Sequence, residues 1–260
     1  MAEISSISRI GTTEPFELQI ARRQIAWHYN VHKFGFNPDI DDAIETVWAQ
    51  GGLYSYLAAA TQLSISSSST ADTSAGTGAR TVTISGLDAN YAEISETVVL
   101  DGQSAVTTAN SYLRVFRMVV RSAGSGEQNA GVIYAGTGTV TLGVPANIYA
   151  TIAIGDNQTL MAIWTVPAEH TAYLLQTDVT VATTQNNKYC TTSLVARPFG
   201  EVFQVRDRFV KAESQTTLEY PVPLRFEEKT DIEYRAVGDS AGADIAISAA
   251  FEIVYIRNSA

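Results

Sequence analysis

Short segments in which apolar and polar residues alternate recur from Thr81 to the end of the chain, and turn residues separate them. Val82 and Ile84 fall on one face of such a segment, and turn residues follow at 86–90. In the last segment, one face carries Ile245, Ile247, Phe251, Ile253 and Tyr255. A period of two is typical of half-buried strands, and regular turn spacing is typical of antiparallel sandwiches and barrels. The chain is therefore predicted to be mainly β, built from antiparallel β-sandwich or jelly-roll-like modules.

The composition favours the same class. The 260 residues include 28 Thr and 21 Ser but only four Lys, which suits pleated surface better than helix. Hydrophobic residues make up 45% of the chain and charged residues only 17%. A chain of this kind can bury a substantial core, and it lacks the high charge and low hydrophobicity of a disordered protein.

Residues 1–57 differ from the rest and are predicted to be an N-terminal arm with one short helix. Residues 15–27 fit either a short helix or an extended arm, because their apolar spacing matches neither period. The acidic segment 37–42 has the character of a helix start, in which Asp39 or Asp41 caps free backbone N–H groups. Apolar residues at helical spacing follow, and Gly51 and Gly52 would end a helix of about three turns.

Two β modules are predicted after the arm. Residues 58–79 form a low-complexity stretch whose only charge is Asp72. Asp101-Gly102 predicts a β-hairpin, and residues 136–138 predict a turn between two further strands. A boundary near Gly155 divides the rest into modules at 58–155 and 156–260, each of ordinary domain size.

Charge and cysteine content restrict the partners and the compartment. The formal net charge is −10, which disfavours binding to nucleic acid or to an anionic membrane surface. Cys190 is the only cysteine, so an intrachain disulfide and a cysteine-based zinc cluster are excluded. The first residues do not resemble a signal peptide, and no run of about 18 apolar residues predicts a membrane span. Synthesis in a reducing cytoplasm is expected.

The sequence contains no strong catalytic, nucleotide-binding or metal-binding motif. The nucleophile pattern G-x-S-x-G, the phosphate-binding glycine motifs and H-E-x-x-H are all absent. His28 and His32 are four residues apart, a spacing that suits a metal only on a helix, and His170 lies in a predicted turn. Paired carboxylates such as Glu227-Glu228 leave a glycan hydrolase as a remote alternative. We expect no catalytic residues, no metal and no cofactor.

Four groups of segments carry a resemblance to a known class of proteins. They lie at 33–41 with 45–54, at 71–115, at 160–174 and at 226–232, and the longest includes GTGARTVTISGLDANYAEISETVVLDG. These segments resemble virion structural proteins of tailed bacteriophages, especially phages of aquatic bacteria. The resemblance touches most of the chain, but it does not distinguish among the parts of the particle.

The resemblance implies a non-enzymatic virion protein, most consistent with a decoration or cement protein that stabilises the phage head from outside. Its partners would be the major capsid protein and further copies of itself in a homotrimer, with no nucleic acid and no membrane. A tail, adaptor or head-fibre component that binds a host receptor glycan is the alternative. Apolar residues near the N-terminus are predicted to form the contact by burying surface at about 25 cal/mol per Å². They are Phe16, Leu18, Ile20, Trp27, Phe34 and Trp48.

Overall fold

The computed structural model describes residues 14–183, 185, 188–211, 214–241 and 244–258. One helix, α1 (Phe16–Ala21), precedes sixteen strands. The strands are β1 (His28–Ile40), β2 (Glu45–Thr46), β3 (Thr61–Ser67), β4 (Ala79–Leu87), β5 (Glu93–Val99), β6 (Val106–Tyr112), β7 (Arg114–Ala123), β8 (Ile133–Thr141), β9 (Val144–Ile152), β10 (Ile163–Thr165), β11 (His170–Thr183), β12 (Cys190–Arg197), β13 (Gln204–Lys211), β14 (Ser214–Phe226), β15 (Asp231–Gly238) and β16 (Ile245–Arg257). All pairings between them are antiparallel, which confirms the predicted mainly β class.

Eight strands, β1 and β10–β16, form a jelly roll. Counted in chain order, the first pairs with the eighth, the second with the seventh, the third with the sixth and the fourth with the fifth. This is the pairing of one long antiparallel ribbon, and rolling it up gives the sheets β1-β16-β11-β14 and β10-β15-β12-β13. The short strand β2 adds to β15 beside β10. One core fills the space between the two sheets, and it includes Trp164, Leu174, Leu194, Tyr234 and Phe251.

The remaining strands, β3–β9, form a second sandwich inserted between the first and second strands of the jelly roll. Its sheets have the orders β6-β3-β8-β9 and β5-β4-β7. Its own core includes Leu63, Ile84, Tyr112, Met118 and Ile133. The two cores meet at β10, where Ile163 packs into the inserted sandwich and Trp164 packs into the jelly roll. Adjacent residues of a strand point to opposite faces, so one short strand can serve both cores.

The helix predicted after residue 37 is wrong, and the single helix among the described residues is α1, one of the two alternatives for residues 15–27. Residues 37–40 continue β1, and β2 and a turn follow. Val47 belongs to the jelly-roll core and Trp48 to the core of the inserted sandwich. These neighbours face opposite ways, as a strand permits and one face of a helix does not.

Two turn predictions also need correction. A turn follows Asp101, but β5 pairs with β4 whereas β6 pairs with β3, so the predicted hairpin is wrong. Residues 136–138, predicted as a turn, lie inside the continuous strand β8 at a register shift. A Cβ atom on Gly136 would lie 2.3 Å from the carbonyl oxygen of Asn147, so glycine here permits close approach of β9.

The predicted face of the last strand is confirmed. The five apolar residues of the last strand are all buried, from Ile245 at 0% to Tyr255 at 8% exposed. The predicted boundaries at 57/58 and 155/156 stay a prediction, although β1 and β2 belong to sheets of the jelly roll. Residues 1–13, the beginning of the predicted arm, lie outside the described residues. Within the described ranges, no helix has the length and hydrophobicity needed to cross a bilayer.

Candidate functional site

Three charged residues form an ion network between the inserted sandwich and the jelly roll, in which Arg114 and Asp231 are buried and Arg197 is partly exposed. Arg114 begins β7, Arg197 ends β12 and Asp231 begins β15. Arg114 donates from Nε and Nη2 to the two carboxylate oxygens of Asp231, at 2.8 and 3.1 Å. Arg197 donates from Nε and Nη2 to one of those oxygens, at 3.1 and 2.6 Å, and Thr165 Oγ1 donates to the other at 2.6 Å. Asp231 is thereby saturated with donors, which a buried carboxylate requires.

Burial and pairing act in opposite directions on Arg114. Burial acts to lower the pKa of its guanidinium, but the hydrogen bonds and charge of Asp231 outweigh that effect, so the pKa is raised. Arg114 also donates to the backbone oxygens of Leu57 and Leu113. Its charge is therefore fixed, and its donors are directed inward.

Aromatic rings contact the cations of this network. The guanidinium groups of Arg114 and Arg197 lie 4.9 and 4.6 Å from the centroid of the Tyr56 ring. The Phe203 ring contacts Arg197, at 4.7 Å from its centroid, and Arg235, at 4.1 Å. Each ring presents its negative face to a cation, which stabilises like charges at close quarters.

A fully buried carboxylate, Glu233, hydrogen-bonds to two residues of this cluster. It accepts hydrogen bonds from the hydroxyl of Tyr56, at 3.0 Å, and from Nε of Arg235. Burial raises the pKa of Glu233, although Arg235 opposes the shift. Burial also raises the pKa of the Tyr56 hydroxyl, and the nearby carboxylates add to the effect, so Tyr56 remains a neutral donor.

Above the ion network, an open cleft of about 530 Å³ faces solvent. Its rim is formed by Lys229, whose Nζ lies 5.8 Å from the ring of Tyr91 and 5.3 Å from that of Phe199. Its lining also includes Arg197 and Glu201. The cleft lies at the junction of the two modules, and its lining combines aromatic rings with five charged side chains.

Two rim residues have left-handed backbone conformations. Tyr91 has φ of 62° and Lys229 has φ of 63°, which is uncommon for residues other than glycine. Hydrogen bonds hold both backbones in place: Ala168 donates to the oxygen of Tyr91 at 2.9 Å, and Lys229 donates to the oxygen of Val166 at 2.8 Å. Such conformations persist only where surrounding contacts fix them, and they concentrate at binding sites.

The six predicted contact residues lie outside this cleft, and two of them are buried. Phe16, Leu18 and Trp27 are 50%, 45% and 56% exposed near the N-terminal end of the described chain. Phe34 is half-buried on β1. Ile20 and Trp48 are buried within this chain, so their side chains are not available at its surface.

The three histidines lie in different surroundings. His28 and His32 are on strand β1, where His32 pairs with Glu252. His170 Nδ1 lies 2.7 Å from the oxygen of Ala168. In the described ranges, no three His, Cys, Asp or Glu residues are grouped so as to hold a metal ion.

No protein-family model matches this chain, and no curated protein matches it. Among solved structures, the Gx strain of infectious bursal disease virus is similar at 10% identity and a TM-score of 0.22, covering 89% of this chain and 76% of that chain. The VP2 subviral particle of the same virus is similar at 10% identity and a TM-score of 0.20, covering 90% and 78%. Similarity at this level does not establish a shared fold or a shared role.

Proposed function

We propose that this chain is a non-enzymatic structural protein of a tailed-phage particle, and that it binds to the outside of the capsid as a decoration or cement protein. The observation that carries the proposal is the strand pairing of the jelly roll, a topology used by viral capsid domains. This support is an analogy at the level of fold. It agrees with the resemblance of the four sequence segments to phage virion proteins.

Exposed apolar side chains offer contact surfaces for such a role. Phe16, Leu18 and Trp27, here called the arm patch, lie close together in sequence, and each is about half exposed although all three are large and apolar. Ile20 is the buried residue of helix α1. Covering the arm patch with the major capsid protein would remove apolar surface from water, worth about 25 cal/mol per Å².

A second exposed apolar surface suits contacts between copies of the chain. Strands β13 and β14 are edge strands of the two jelly-roll sheets, and Val205, Val210 and Val222 are 51%, 65% and 81% exposed on them. Edge strands with unpaired backbone groups are ready to associate with another chain. We assign this surface to self-association in the proposed homotrimer. Weak contacts repeated over a symmetric shell would then add up through multivalency.

The net charge favours an exterior position. At −10 it would repel packaged DNA, whose phosphates dominate any protein contact. The protein would be made in the host cytoplasm and join the finished shell.

The test is binding to purified empty capsids, followed by sedimentation and by the melting temperature of the shells. The native protein should sediment with capsids and raise their melting temperature. Leu18→Lys, in the arm patch, should bind at least about tenfold more weakly, because a charge would have to be buried. The control Ile154→Lys changes another exposed apolar residue, outside both surfaces, and should bind normally. No association of the native protein would contradict the proposal.

A second candidate is a tail, adaptor or head-fibre component that binds a receptor glycan. The cleft beside Lys229, Tyr91 and Phe199 favours it, and jelly rolls also occur in lectins. Copy number separates the two candidates. Electron microscopy of particles should find a decoration protein in numbers comparable to the major capsid protein, and a fibre or adaptor in few copies at one site.

A further inference from the structure

The cleft between the two sandwiches contains donors that have no acceptor among the described residues. Arg197 uses Nε and Nη2 on Asp231, and no described residue accepts a hydrogen bond from its Nη1. Lys229 has no carboxylate or carbonyl partner for Nζ among the described residues, and its Nζ lies over the rings of Tyr91 and Phe199. Both side chains line the same cleft. Two cationic groups in one cavity, each with a donor that no described residue accepts, indicate an anionic ligand.

The charge of the lining sets the charge of the ligand. The residues around the cleft include three cations, Arg114, Arg197 and Lys229, and two carboxylates, Asp231 and Glu201. The lining therefore has a net charge of +1, which matches a monoanion such as a carboxylate. The charge of a phosphate dianion would be larger than the net charge of the lining.

The volume and the aromatic walls of the cleft favour a ligand larger than a bare carboxylate group. A volume of about 530 Å³ is far larger than a bare carboxylate group needs. Phe199 is 63% exposed and meets Tyr91 edge to face, with ring centroids 5.8 Å apart. Exposed aromatic faces bind the apolar face of a ring, while the carboxylate of Glu201 can accept hydrogen bonds from hydroxyl groups.

We propose that this cleft binds a hexuronic acid residue, with its carboxylate on Lys229 and Arg197 and its ring against Phe199 and Tyr91. The site does not depend on a position in the capsid, since it is built entirely from this chain. It also connects the two modules, because Tyr91 belongs to the inserted sandwich and the other three residues belong to the jelly roll.

The test is calorimetric titration of the intact protein with methyl β-glucuronide, and with methyl β-glucoside, acetate and inorganic phosphate as comparisons. The glucuronide should bind, and the neutral glucoside should bind at least about tenfold more weakly, because it lacks the charge-assisted hydrogen bonds. Acetate and phosphate should also bind more weakly, since neither has a ring to place against the aromatic walls. Phosphate binding as tightly as the glucuronide would overturn the assignment, as would no heat with the glucuronide.

Two variants locate the site. Lys229→Met should weaken glucuronide binding about tenfold and leave the weak glucoside binding unchanged. Phe199→Ala should weaken both sugars together, because it removes the wall and not the charge. Lys188→Met is the matched control, since Lys188 lies outside the cleft and pairs with Asp239. Unchanged glucuronide affinity in Lys229→Met would overturn the proposal, and the comparison of ligands on the native protein stands even if a variant folds poorly.

Discussion

Lys33 is a lysine whose side chain is buried in the protein. It lies on β1 and is 2% exposed, and its Nζ donates to the backbone oxygen of Phe116 on β7. It pairs with no carboxylate among the described residues, and the nearby Arg117 adds repulsion. Burial therefore lowers the pKa of Lys33 well below its ordinary value, and Arg117 lowers it further.

This shift predicts a pH-dependent stability. Between the lowered pKa of the folded state and about 10.4, the unfolded chain binds one more proton, so the free energy of unfolding falls as pH falls. Lys33→Met removes that contribution. Urea unfolding from about pH 10 to pH 7 should show the variant gaining stability relative to the native protein as pH falls. Ionisation of buried tyrosines affects both proteins equally and cancels in the difference, so a constant difference would contradict the prediction.

At the scale of elements, the conformation of the turn after β1 could not be predicted from its local sequence. The acidic residues there have the composition of a helix start, but the carboxylate of Glu45 organises them differently. It accepts hydrogen bonds from the side chain of Asn37 at 3.0 Å and from the backbone nitrogens of Asp41 at 3.1 Å and Gly52 at 2.7 Å. Strand periodicity can be recognised in the sequence where a strand buries one face and exposes the other, whereas this turn depends on one side chain and on two separate cores.

Asp72 has the same role in the low-complexity stretch. One carboxylate oxygen accepts hydrogen bonds from the backbone nitrogens of Ala79 at 2.7 Å and Ala130 at 2.8 Å. The other accepts from Ser67 Oγ at 2.6 Å and from the nitrogen of Gly131 at 2.9 Å. The only charge in a Ser- and Thr-rich segment thus ties the loop before β4 to the segment before β8.

Asp72→Asn keeps the shape of this side chain but turns an amide N–H₂ toward backbone donors. At least one buried N–H group then loses its acceptor, and we expect the free energy of unfolding to fall by about 3 kcal/mol. Thermal and urea unfolding measure the change. Asp156→Asn, in an exposed turn, is the matched control and should stay within about 0.5 kcal/mol of the native protein. Equal stability of the two variants would show that Asp72 does not hold the loop.

At the scale of the whole molecule, the sequence predicted the β class more readily than the way in which the strands connect. The jelly roll pairs β1 with β16, so residues such as His28 and Ile256 meet although they come from opposite ends of the chain. The candidate cleft has the same character, because Arg114 and Asp231 are 117 residues apart. No periodicity or short motif links such positions, and only the closing of the strand ribbon brings them together.

The ion network beneath the cleft is therefore expected to hold the inserted sandwich against the jelly roll. Arg114→Met removes one partner and leaves Asp231 buried with Arg197 alone, which should lower the free energy of unfolding by about 3–5 kcal/mol. Because Arg114 and Asp231 are buried, added salt should not lower the free energy of unfolding of the native protein by a similar amount. Arg225→Met breaks an exposed pair with Glu227 instead and should cost less than about 1 kcal/mol. Urea unfolding followed by the fluorescence of Trp48 and Trp164, one in each core, shows whether the modules unfold together. If Arg114→Met unfolded in one transition with native stability, Asp231 would be satisfied by Arg197 and Thr165 alone, and the contact between the modules would have to come from apolar packing at β10.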